Sequence, residues 1–469
     1  MDFNRLLYYT NYFLLLSTSI AFIYFGANNF IDIKVILVSI FLHLQISYLL
    51  NYERRFKNPY LIVLCLVIIF FYLLRILTLL IDEYHYSLVF TRIGSENICF
   101  KEVFDFLLFL YFSIWAIFFG IKLGSKQKLK LVDLNSFDIN LLQIKKLSVL
   151  VFISLLYFMF SGFSTMTFGI LLGLLTSFFN YEVFVMLLTI ILFNYKNIVS
   201  PILYRTLIFM LSVFFLIKAL SGSSGPMLRI GFPMFFALLV MGKNIYLRKT
   251  YLLLLIALLI STTFFGAYLK SSKEKISTET FLQFTRLDND SYKFLFSQLV
   301  ARSGFLDFSV EIINNKNYSK FINLPRYTHS IVDSFTPGFD VFDEPLTANI
   351  LRAVYLYSFP SNPKKIDIVN DYHSDQINVF SEYFVLFGPL FSLVFLFLTS
   401  YGFQKIYYNI NFSSFDLFTK YLLSASLLNY FWIWLRSFGL DWIIADLPAY
   451  VLPILLIIFI KKLKLQRES

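Results

Sequence analysis

Apolar stretches of about 20 residues, separated by short polar loops, recur along most of this chain. A helix rising 1.5 Å per residue needs about 20 residues to cross roughly 30 Å of hydrocarbon. The pattern predicts an all-α, polytopic integral membrane protein of about twelve transmembrane helices. The predicted spans fall near 6–27, 31–50, 59–81, 103–121, 201–220, 226–241, 250–270, 379–403, 417–435 and 447–460. Two further spans divide 147–195, with the split at about 165–177, where Gly162, Gly169 and Gly173 weaken the helix. Pro59 opens the third span, an acceptable place for proline in a helix's first turn.

One long segment, 271–378, breaks the apolar pattern. It divides the chain into a first membrane part (1–270, about nine spans), a large loop (271–378) and a last membrane part (379–469, about three spans). Within the loop, Tyr292, Leu295, Phe296 and Leu299 share one face of a helix expected over Asp290–Arg302. Gly304 ends that helix and 305–314 forms a second. Pro325, Pro337, Pro345, Pro360 and Pro363 punctuate the rest. The expectation is short helices and turns at the membrane surface, not a separate globular domain.

Composition supports the membrane reading. The 469 residues are 58% hydrophobic and only 15% charged, against about 25% charged in a soluble domain. The first apolar run is too long for a signal-peptide core and has no small-x-small cleavage site. The net charge of +11 lies outside the long loop, where acidic residues outnumber basic ones. It collects in alternate loops: Arg54, Arg55 and Lys57; Lys122 to Lys146; Lys243, Arg248 and Lys249; Lys405; and Lys461 to Lys464. Short cytoplasmic loops collect Lys and Arg, so both termini are expected in the cytoplasm and the long loop outside. This placement needs no nucleic acid to explain the charge.

Several cations break the positive-inside pattern. Arg75, Lys218, Arg229 and Arg436 map to the outer ends of spans, and Lys270 joins them. Charges at membrane depth are unfavourable alone and tend to face a protein-lined cavity. Planar guanidinium groups at one depth suit a pyrophosphate, which they grip in bidentate fashion; snorkelling of each residue to the headgroups is the bland alternative. Arg302, Arg326 and Arg352 add cations from the loop. Ser221-Gly222-Ser223-Ser224-Gly225-Pro226 is rich in small residues; Ser223, Ser224 and Gly225 suit a backbone nest for an anion, or a tight turn. His329, His373 and Glu382 are the candidate proton acceptors on the outer side. Asp340, Asp343 and Glu344 read as an exposed acidic turn, and no metal site is expected. The chain has no cysteine–histidine metal spacing, phosphate-binding Gly-Lys loop or dinucleotide fingerprint, so no cofactor is expected.

In its layout, the chain resembles bacterial O-antigen (Wzy-type) polymerases. Two local patterns add to the likeness. Ser221–Pro226 resembles the family's small-residue motif, and Ser381-Glu382-Tyr383 with Phe387-Gly388-Pro389 resembles the start of its span after the loop. Ser224 stands where the family often has arginine, with Arg229 as the stand-in. The resemblance implies a glycosyltransferase of a bacterial inner membrane that polymerises undecaprenyl-pyrophosphate-linked oligosaccharide repeat units on the periplasmic face. It also implies a membrane protein regulating chain length as a partner. The related O-antigen ligases favour asparagine after the histidine, where this chain has Ser374. A lipid-linked glycan flippase fits about twelve spans but not the long loop or the lack of an internal repeat. A polyprenyl-monophosphate sugar transferase is expected to carry an acidic pair in the first outer loop, which here offers only Asp32.

Overall fold

The computed structural model describes residues 3–25, 33–81, 100–125, 141–160, 178–197, 199–220, 224–242, 305–314, 316–320, 322–335, 342, 378–413, 415–436 and 439–462. Among these every regular element is helical. The helices are α1 (Phe3–Phe25), α2 (Ile33–Phe56), α3 (Pro59–Ile68), α4 (Leu74–Ile81), α5 (Phe100–Gly124), α6 (Leu141–Phe160) and α7 (Tyr181–Asn194). They continue with α8 (Pro201–Leu220), α9 (Ser224–Val240), α10 (Phe305–Asn314), α11 (Leu324–Phe335), α12 (Val379–Phe412), α13 (Leu417–Arg436) and α14 (Leu440–Lys462).

Each predicted span except the ninth coincides with a described helix; the ninth lies outside the described residues. Among the described residues, five helical stretches are long and apolar enough to cross a membrane: Phe3–Ile23, Ile33–Phe56, Pro59–Leu77, Glu102–Gly124 and Val379–Phe412. In the long loop, α10 falls on the second predicted helix, whereas Asp290–Arg302 lies outside the described residues.

Local chemistry sets where several helices begin. Asn58, Asn180, Asn323 and Asn378 each accept a hydrogen bond from a backbone N–H of the first turn, at 2.9–3.1 Å. These side chains satisfy donors that a helix start leaves open. Between α3 and α4 the helix continues through a π-helical turn, Ile69–Leu73, a feature frequent at functional sites.

The span after the loop differs from its expected 379–403. It runs to Phe412 but breaks at Gly388, which has φ 74° and ψ 169°. Glycine reaches that φ without a Cβ clash. Pro389 holds the preceding residue away from helical ψ and lacks the N–H that would continue the ladder. The Ser392 hydroxyl sits 2.6 Å from the Tyr383 carbonyl and also reaches that of Gly388. The segment Val379–Phe387 is thereby set apart from the long span below it.

Packing uses small residues and polar seams, as expected where lipid is as apolar as the side chains. On α1, Asn4, Asn11 and Thr18 alternate with Leu7, Leu14 and Ala21 at seven-residue spacing, and all are buried. Asn11 donates to the His43 carbonyl and the Ser47 hydroxyl of α2, both at 3.0 Å, while its Oδ1 meets His43 Nδ1 at 2.8 Å. Gly120 and Gly124 of α5 let α12 approach closely: a Cβ on Gly120 would stand 2.1 Å from Ser400 Oγ. A second core gathers α6 to α9 with α13 and α14, and α7 is buried on every side from Val183 to Leu192. At its start Glu182 accepts hydrogen bonds from Asn429 of α13, at 2.8 Å, and from the Tyr450 hydroxyl of α14.

Candidate functional site

The end of the bundle that carries Arg75 and Arg436 is the candidate site. Arg436 is the last residue of α13, and its guanidinium carbon lies 5.4 Å from the Phe71 ring centre and 5.2 Å from that of Trp432. Two aromatic faces hold a cation electrostatically and keep its planar fork in one orientation. Phe71 belongs to the π turn, and Arg75 follows one helical turn later with no exposed surface. Phe232 of α9 packs on the same Trp432 at 4.1 Å between ring centres. The backbone of Arg229 lies three residues earlier on α9, so three arginine-bearing elements meet around Trp432. The side chains of Arg229 and Lys218, on α9 and α8, lie outside the described residues.

The loop helices cover this end. α10 packs against the π turn, α5 and α12, and α11 lies along α14. A small core of Ile312, Tyr318, Ile322 and Tyr327 joins them to Val385, Leu386 and Leu440. Polar contacts fix the same seam. Asn378 donates to the Ser309 hydroxyl of α10. The Tyr327 hydroxyl donates to Glu382 Oε1 at 2.6 Å, and the Leu440 N–H donates to the same oxygen. Ser330 donates to Asp441 Oδ2 at 2.8 Å.

Glu382 is fully buried at this junction. Its Oε1 accepts from Tyr327 of α11 and from the first N–H of α14, and so joins the two helices. His329 lies on α11 with its ring stacked on Phe342, 4.1 Å between centres and 9° between planes. Arg326, on the same helix, has its backbone N–H capped by Asn323. Ser224 and Gly225 form the first turn of α9 rather than a loop. Ser223, Arg302, Arg352 and His373 lie outside the described residues, as do Lys270, Asp340, Asp343 and Glu344.

No protein-family model, curated protein or solved structure matches this chain. Chemical meaning therefore rests on the geometry alone. Among the described residues no group of three or more His, Cys, Asp or Glu is arranged to hold a metal ion. What the described residues show is an arginine held against two aromatic faces, at an end of the bundle that also carries a wholly buried arginine.

The sequence reading missed Tyr327, Ser330, Tyr383, Trp434 and Asp441. The signal for α11 was present: Asn323-Leu324-Pro325 is an N-cap followed by proline in the first turn. Asp441 fell into an expected loop because the last span was drawn from 447, whereas α14 begins at Leu440.

Proposed function

We propose that this protein is a membrane glycosyltransferase that polymerises undecaprenyl-pyrophosphate-linked oligosaccharide repeat units on the outer face of a bacterial inner membrane. One observation supports the reading: the guanidinium of Arg436 lies against the faces of both Phe71 and Trp432, and Phe71 stands one helical turn before the buried Arg75. In the proposed reaction a sugar hydroxyl of one lipid-linked unit attacks the anomeric carbon of another. The bond from that carbon to the pyrophosphate oxygen breaks, and the arginines stabilise the charge on the leaving group. The proton acceptor belongs to the loop, and His373 is the proposed residue. Lipid tails lie among the apolar spans.

Deleting the gene in its host tests the role. A polymerase deletion leaves lipid A core carrying a single repeat unit. Unligated polymer on the carrier lipid indicates a ligase instead, and repeat units retained on the cytoplasmic side indicate a flippase. The flippase reading draws on one observation, the buried Glu182 held by Asn429 and Tyr450 in the second core. Intramembrane carboxylates of this kind mark ion pathways in transporters.

A further inference from the structure

Adjacent residues of one short helical segment grip the α13–α14 turn from both sides. Trp434, two residues before Arg436, donates from its indole N–H to the Tyr383 hydroxyl at 3.1 Å. Leu440, four residues after Arg436, donates its N–H to Glu382. Gly439, at φ 109°, shapes the turn between them. The segment that supplies Glu382 and Tyr383 is itself uncoupled from the span below by the break at Gly388. The same Glu382 oxygen accepts the Tyr327 hydroxyl of α11, and the next residue of α14, Asp441, accepts Ser330 of α11.

We propose that Glu382 and Tyr383 are positioning residues that set the Arg436 guanidinium, and that Tyr327 and Ser330 tie the covering helix α11 to the same turn. Arg436 and α11 then share one support, the segment that carries Glu382 and Tyr383. This rests on the reading of Arg436 as a phosphate-holding group. The aromatic pair at Phe71 and Trp432 fixes the tilt of the guanidinium, whereas the Glu382–Tyr383 clamp fixes the height of the turn that carries it. A shift of about 1 Å in such a group is enough to lose most of its effect on a reacting centre.

The test uses the full-length protein in lipid nanodiscs and inorganic pyrophosphate as the probe, with thermal stability recorded for every variant. Arg436→Ala is expected to remove measurable binding. Glu382→Ala and Tyr383→Phe are expected to weaken it about ten-fold, by loss of one side of the clamp. Glu382→Gln is expected to bind within about three-fold of the parent, because an amide oxygen still accepts from Leu440 and Tyr327. Tyr383→Phe removes a single oxygen while retaining the ring packed against Phe387 and Trp434. It keeps the question open to refutation if Glu382→Ala does not fold. Parent-like binding in Tyr383→Phe, and in Glu382→Ala if it folds, with Arg436→Ala unable to bind, overturns the clamp and leaves the phosphate reading standing. Glu382→Gln that folds but binds as weakly as Glu382→Ala also overturns the clamp, since the negative charge rather than the hydrogen bond would then act. A parent that does not bind pyrophosphate, or Arg436→Ala that binds normally, overturns the phosphate reading and the clamp with it.

Discussion

Replacing Gly120 by alanine asks whether α5 and α12 are as close as the structure places them. The new Cβ would stand 2.1 Å from Ser400 Oγ and 2.5 Å from the Phe397 carbonyl oxygen. The serine side chain can rotate at the loss of its 2.9 Å hydrogen bond to Phe397 O, but the backbone oxygen cannot move away alone. Restoring ordinary contact requires the helices to separate by about 1 Å, the kind of overpacking that costs about 1–3 kcal/mol. Alanine's better helix propensity returns up to about 1 kcal/mol, so the expected net loss is about 1–2 kcal/mol. Gly402→Ala is the matched control: it lies on α12, two residues from Ser400, and its Cβ would meet nothing within 4 Å. The assay is thermal unfolding of purified protein in detergent together with the amount recovered from membranes. Gly120→Ala should melt earlier and be recovered in lower yield, whereas Gly402→Ala should match or slightly exceed the parent. Equal stability of the two variants would falsify the close approach.

Three further outcomes are expected. Gly388→Ala, which forces a Cβ onto a backbone of φ 74° and ψ 169° with no other contact within 4 Å, should lower thermal stability by about 1–3 kcal/mol purely through backbone strain; unchanged melting would remove the strain argument. Asn429→Leu removes the amide donor to Glu182 and to the Tyr450 hydroxyl, which should destabilise by about 1–3 kcal/mol, with Asn429→Gln a partial rescue; a neutral Asn429→Leu, read by the same thermal assay, would count against a closed network. Ser319→Cys, at an exposed position beyond α10, should react with a membrane-impermeant thiol reagent in intact spheroplasts; protection there would place the loop inside and undo the proposed mechanism as well.

The helices were readable because length and apolarity are properties of contiguous residues. Tyr181–Asn194 shows where that stops: it is buried on nearly every face although only 14 residues long. A hydropathy window cannot separate such a core helix from a crossing. The break at Gly388 was also written in the sequence, because a Gly-Pro pair interrupts a helix for steric reasons. The π turn at Ile69–Leu73 was not, since its residues are as apolar as those on either side.

The candidate site divides along a similar line. Arg75 and Arg436 stood out because a cation inside an apolar run is conspicuous. Glu382 stood out for the same reason, but its role was not legible. Whether a buried carboxylate accepts a proton or holds a turn depends on which donors reach it, and Tyr327 and Leu440 are 55 and 58 residues away in sequence. Polarity along a chain identifies residues that need a partner; only the packing says which partner. For Glu382 those partners include the Tyr327 hydroxyl of α11 and the Leu440 N–H, so one carboxylate oxygen joins α11 to the start of α14, four residues after Arg436.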